Sequence, residues 1–228
     1  MSAPRILAIE PRLFAVVATA PRSRYGEAAI NRGLSNIDWV SRAAVAHEAV
    51  IEHFLDLDAV LPMKLFTLFR DDERVLDYLR QERSRLMATA RRVARQQEWG
   101  VRVLFDRSQA AAARPKPLRA STAANGLAYL TGKKAKRDAA VELSIRAHDT
   151  VTRLFDRLAA RARDARRRAA SELPAQGSLL LDAAFLVPKT RAAAFRALAA
   201  RESRALRPHG YAVSLTGPWP PYTFVQES

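Results

Sequence analysis

The longest helical pattern in the sequence runs from about Asn125 to Ala170, and it constrains the fold more than any other stretch. It breaks or bends near Gly132. Beyond that point Ala147, Val151, Leu154, Phe155, Leu158, Ala162 and Ala165 recur on one face. A helix this long with a single apolar stripe must lie across other elements or take up a partner, because the rest of its circumference is too polar to bury. Arg161, Arg163, Arg166, Arg167 and Arg168 crowd its expected end, where positive charge complements the helix C-terminal dipole.

Around this helix the patterns are shorter. Leu13 to Ala18 is a β-branched and aromatic run closed by Pro21, which predicts a strand. A helix follows from about Arg42, with Ala46, Val50, Phe54 and Leu57 at helical spacing. Val60 to Phe69 alternates after Pro62 and reads as a strand with the proline near its start, where a missing N–H is tolerated. Asp71 and Asp72 then cap one long helix carrying Val75, Leu76, Leu79, Leu86, Met87, Ala90, Val93 and Ala94. Trp99, Val101, Val103 and Phe105 alternate in another strand. After a Pro- and Ala-rich segment and the long helix come a strand over Leu179 to Val187 and a helix with Phe195, Leu198, Ala199 and Leu206. The last strand is Tyr211 to Leu215, and a rigid aromatic tail from Thr216 to Val225 closes the chain. The expectation is an α+β protein of two domains, residues 1–110 and 125–228, joined by a linker over 111–124.

Chemistry is harder to find. There is no cysteine, which removes disulfides, zinc thiolates and a Cys nucleophile, and agrees with a reducing cytoplasm. His47-Glu48 opens a zinc-protease pattern, but Ile51 stands where its second histidine belongs. No phosphate loop, dinucleotide fingerprint or nucleophile elbow is present. Asp71/Asp72 is accounted for by capping. We therefore expect no catalytic residues, no metal and no cofactor. No stretch approaches the roughly 20 apolar residues of a membrane span. The net charge of +15 calls for a solvated Arg-rich surface or an acidic partner. A nucleic-acid-binding module is the rival reading, and it lacks interleaved aromatics and a recognisable motif.

The tail Leu215-Thr-Gly-Pro-Trp-Pro-Pro-Tyr-Thr-Phe-Val225 resembles the carboxy-terminal signature of the gas vesicle protein F/L (GvpF/GvpL) family. Other segments follow in that family's order: Ala46-His-Glu-Ala-Val-Ile51, Val60-Leu-Pro-Met-Lys-Leu-Phe-Thr67, Glu98-Trp-Gly-Val-Arg-Val103, Gly126-Leu-Ala-Tyr-Leu-Thr-Gly-Lys133 and Ala184-Phe-Leu-Val187. The resemblance covers about residues 11 to 225. It departs in two places. The family's usual first strand is expected to be missing, and its Arg and Gly in the Val60–Thr67 segment are Lys64 and Phe66.

The resemblance implies an N-terminal α+β domain and a C-terminal modified ferredoxin-like domain with long helices. It also implies a cytoplasmic, non-enzymatic assembly factor that associates with gas vesicles and binds the shell protein GvpA and other accessory proteins. A relative that has drifted to a regulatory binding role is the alternative. Partner contact is expected at Val16, Val17, Lys64, Phe66 and Leu68, and self-association through an unpaired strand edge is a second expectation. Gly217, Pro218, Trp219, Pro220, Pro221 and Tyr222 form the structural signature, read either as packing that locks the last strand or as an aromatic hot spot.

Overall fold

In a computed structural model the described residues are 2–112, 126–168 and 178–225. Their elements run β1 (Arg5–Glu10), β2 (Leu13–Val17), α1 (Arg22–Tyr25), α2 (Glu27–Gly33), α3 (Ile37–His53), α4 (Asp72–Gln81), α5 (Arg83–Val93) and β3 (Gln96–Phe105). The chain continues with α6 (Arg107–Ala112), α7 (Gly126–Ala159), β4 (Asp164–Arg167), β5 (Ser178–Pro188), α8 (Ala192–Leu206), β6 (Tyr211–Trp219) and α9 (Tyr222–Val225). Most of the expected linker lies outside the described residues.

Two units divide these elements: Met1–Gln96 with Pro220–Ser228, and Gln97–Trp219. This is not the expected division at 111–124. The strand around Trp99 was expected to close the N-terminal domain, but β3 pairs antiparallel with β6 from Val101↔Leu215 to Phe105↔Tyr211 and belongs to the second unit. The aromatic tail departs in the opposite direction. Expected to lock the C-terminal domain, it belongs beyond Trp219 to the first unit.

The first unit starts with a hairpin that corrects another expectation. The strand thought missing is present as β1, paired antiparallel with β2 from Arg5↔Val17 to Glu10↔Leu13. Arg5, Glu10 and Arg12 mask it in the sequence, because both charges of β1 are used in ion pairs at its ends. Arg5 Nη2 donates to Asp72 Oδ1 at 2.6 Å, and Arg83 holds Glu10 through two hydrogen bonds. The helix expected from Arg42 begins earlier, at Ile37, capped by Asn36, whose side chain accepts from Trp39 N–H at 3.0 Å. The expected strand over Val60 to Phe69 does not form. Phe66 takes a left-handed backbone (φ 64), and the Thr67 N–H and hydroxyl both donate to the Lys64 carbonyl, at 3.0 and 2.7 Å, so a turn interrupts the alternation. Asp71 caps as expected, accepting from Arg74 N–H at 2.9 Å. The helix it starts is two helices, however, parted at Glu82. From Arg80 to Arg85 every residue is polar, so nothing carries the buried stripe across that step.

The second unit follows the succession β3–α7–β4–β5–α8–β6, with strand order β4-β5-β3-β6. Alternation explains which face is covered. Trp99, Val101, Val103 and Phe105 of β3 share a core with Leu181, Ala183, Phe185 and Val187 of β5, beneath Val151, Leu154 and Leu158 of α7 and Phe195 of α8. Each of the larger side chains contributes about 1.5–3 kcal/mol on burial. The long helix stops at Ala159, not near Ala170. The arginine-rich stretch expected as its last turns is β4, drawn into the sheet by pairing with β5 from Asp164↔Leu186 to Arg167↔Ala183. Arg167 lies 4.5 Å over the Phe155 ring, and Arg168 and Arg102 both bind the buried Asp182. Gly210 ends the α8 segment at φ 84, where an added Cβ would stand 2.6 Å from the Asp106 carbonyl.

Candidate partner-binding site

The hairpin of the first unit is amphipathic by its register. Cross-strand partners Ile6↔Val16 and Ala8↔Phe14 share its outer face. Ile6 is 59% exposed, Phe14 54% and Val16 37%. The alternate residues Leu7, Ile9, Leu13, Ala15 and Val17 are half-buried. The sheet holds these two strands alone, so its backbone edges have no further strand beside them among the described residues. An apolar face on such a sheet is what an associating strand or helix covers. The two ion pairs that fasten β1 to the starts of α4 and α5 also set the titration of their members. The hydrogen bond from Arg83 holds the Glu10 carboxyl below the ordinary carboxylate range, and that from Arg5 does the same for Asp72.

A second feature of the same unit is an open cleft of about 250 Å³ lined by Ala44, His47, Glu48, Met63, Lys64, Leu65 and Tyr222. Three separated sequence signatures meet here: Ala46-His-Glu, Leu61-Pro-Met-Lys and Pro221-Tyr. His47 Nε2 donates to the Met63 carbonyl at 3.0 Å, which fixes that nitrogen as the protonated one. The Tyr222 hydroxyl donates to Glu48 Oε2, while Glu48 Oε1 is buried with no hydrogen-bond partner. Arg92 Nη2 donates to the Phe224 carbonyl, and Pro220, Pro221 and Phe224 are buried. The tail is thus packed and bonded into the first unit, while Trp219, 42% exposed, stays on β6.

Of the residues expected to meet a partner, Val16 stands on the exposed hairpin face and Val17 on the opposite, half-buried face. Lys64 is exposed on the cleft, and Leu68, just past the turn, is 49% exposed. Phe66 is half-buried, stacked on Trp39 with ring centroids 5.1 Å apart and planes 16° apart. Sequence reasoning overlooked Ile6 and Phe14 on the hairpin face, although Ile6 and Ala8 alternate with charged ends in the way an edge strand does. It also overlooked the Glu48–Tyr222 bond. The signal for that bond was the clustering of both residues within signature segments.

The described residues thus form a two-unit α+β protein with an exposed apolar hairpin in its first unit. Along residues 3–226 the sequence matches the family model described as "Gas vesicle synthesis protein GvpL/GvpF". Gas vesicle protein L of Streptomyces sp. (strain CB03234) is 32% identical over 220 residues, covering 93% of this chain and 79% of that protein. Two crystal structures share the fold. GvpF from Anabaena sp. PCC7120 has a TM-score of 0.61 at 18% identity, covering 82% of this chain and 78% of that one. GvpF from Microcystis aeruginosa has a TM-score of 0.62 at 16% identity, covering 98% and 89%. The chain belongs to the GvpL/GvpF family of gas-vesicle proteins. Among the described residues no helix is long and apolar enough to cross a membrane.

Proposed function

We propose that the chain is a cytoplasmic assembly factor that binds the shell protein GvpA and other accessory proteins while gas vesicles are built, and that it acts without turnover. The observation that carries this reading is the exposed apolar hairpin face in a member of a gas-vesicle family. A subunit that polymerises through apolar surface needs cover before assembly, and a strand face with Ile6, Phe14 and Val16 supplies it. Val16, Lys64 and Leu68 are the anticipated contacts from the sequence that remain exposed. Lys64 would add a charge to the same unit's surface, and Val17 and Phe66 support the contacts from within.

The test is co-purification of the shell protein with the full chain and with Phe14→Lys and Val16→Lys. Both side chains lie on the exposed face, so each change costs the fold about 0.2–1 kcal/mol of cross-strand pairing. Capture should fall while circular dichroism stays unchanged. Undiminished capture by well-folded variants would remove the hairpin from the reading. A monomer–dimer shift on size exclusion, lost with the same variants, would instead assign the face to a second copy of the chain.

A further inference from the structure

The second unit carries most of the basic excess, with 23 Lys and Arg against 10 Asp and Glu from Gln97 to Trp219. That excess has a particular shape on α8. Between Lys189 and His209 the single acid is Glu202, which is 7% exposed and turned to Arg157, whose Nη2 donates to its Oε2 at 2.8 Å. Glu202 Oε1 lies 3.5 Å from Arg201 Nη2. The exposed positions of α8 itself are then alanine and arginine alone: Ala193, Ala194, Arg196, Ala197, Ala200, Arg201, Arg204 and Ala205.

Helical spacing orders these residues into two neighbouring rows, Arg196–Ala200–Arg204 and Ala193–Ala197–Arg201–Ala205. Arg196 and Arg204 stand eight residues apart, about 12 Å along the axis, with only a methyl group between them. The dipole accounts for Arg204 in the last turn. It does not account for Arg196 in the middle of the helix, 6.0 Å over the Trp99 ring.

We infer that the outer face of α8 docks a helix of another protein, one carrying carboxylates beside an apolar stripe. An apolar side chain of such a helix seats over Ala197 and Ala200, where the backbones approach closely, and carboxylates on either side meet Arg196 and Arg204. Nucleic acid fits this face less well. The methyl row offers a phosphate backbone no hydrogen bonds, and there is no aromatic on the face to stack a base. A second copy of the chain fits worst, since its own charge is +15.

The experiment is fluorescence anisotropy at near-physiological salt with the full chain and three probes. They are a synthetic amphipathic helix of Leu and Glu, a scrambled peptide of the same composition, and a short DNA duplex. Arg196→Ala/Arg201→Ala/Arg204→Ala keeps strong helix formers and should weaken the amphipathic peptide about tenfold. Ala200→Trp leaves every charge in place, fills the notch, and should weaken it comparably. The scrambled peptide should bind worse than the amphipathic one, and shell-protein capture by the hairpin should be unaffected by either variant. Equal binding of the two peptides, or indifference to Ala200→Trp, would overturn the inference. So would tighter binding of the duplex that the arginine variant abolishes, which would make α8 a nucleic-acid face.

Discussion

Phe66 sits at a backbone position that ordinary side chains avoid. Its φ of 64 lies in the left-handed region, where an L residue costs roughly 1–2 kcal/mol and glycine nothing comparable. The related family segment has glycine at this step, so the substitution introduces strain and a side chain together. The side chain offsets the strain by stacking on Trp39, and such a ring pair contributes about 0.5–1.5 kcal/mol beyond its buried area. Trp39 in turn needs Gly33 beside it, since an added Cβ there would come within 2.6 Å of the indole. The two terms predict an unusual order of stabilities. Phe66→Ala loses the stack and keeps the strain, whereas Phe66→Gly loses the stack and relieves it. Urea melts should place Phe66→Ala about 1 kcal/mol below Phe66→Gly, the reverse of the ordinary penalty for glycine. The usual order, alanine above glycine, would show that the strain is not there.

At the scale of elements, the two ion pairs of the hairpin make its stability depend on pH. Glu10 and Asp72 are both held below the ordinary carboxylate range, Glu10 by the hydrogen bond from Arg83 and Asp72 by that from Arg5. A carboxyl depressed in the folded state contributes stability that is fully present above its unfolded value and is lost as pH falls through the folded one. Glu10→Gln/Asp72→Asn should therefore differ from the parent near pH 7, and the difference should begin to shrink near the ordinary carboxylate range of about pH 4 and vanish only below the depressed folded values. Hydrogen exchange of the β1 amides at the two pH values would read this, and added salt should shrink the difference because both pairs are exposed. A gap that persists in acid would assign the loss to packing. This element also shows what the sequence conceals. Leu13 to Val17 is readable because its pattern is local, whereas β1 is recognisable only when Arg5 and Glu10 are known to have partners 67 and 73 residues away. The same holds for β4. Its four residues read as the end of a helix until β5 is beside them. The cap at Asp71 needed no such knowledge, being local physics, and it lies where the sequence places it.

The whole molecule is stitched by a chain that leaves its first unit at Gln96 and returns at Pro220. No pattern in the sequence predicts that return, because the tail's composition says only that it is rigid and apolar. Its destination depends on Glu48 and Arg92, which lie more than a hundred residues earlier. The candidate site was legible in part for the same reason. His47, Lys64 and Tyr222 each stood in a signature segment, but their convergence on one cleft is a property of the tertiary structure. This geometry fixes the consequence of removing residues 220–228. Phe224, fully buried, and the Tyr222 hydroxyl would be lost from the first unit, while β6 would remain whole up to Trp219. Loss of the Phe224 side chain alone costs about 3–5 kcal/mol at a buried site. The Arg92 and Glu48 groups left without partners add to that cost. Native-state hydrogen exchange on the truncated chain should therefore show protection falling in α3 and α5 and holding in β3 and β5. A milder variant, Tyr222→Phe, should lower protection in α3 by a smaller amount, since it removes the hydrogen bond to Glu48 and no bulk. Loss confined to the four-stranded sheet in either variant would mean that the tail serves the second unit instead.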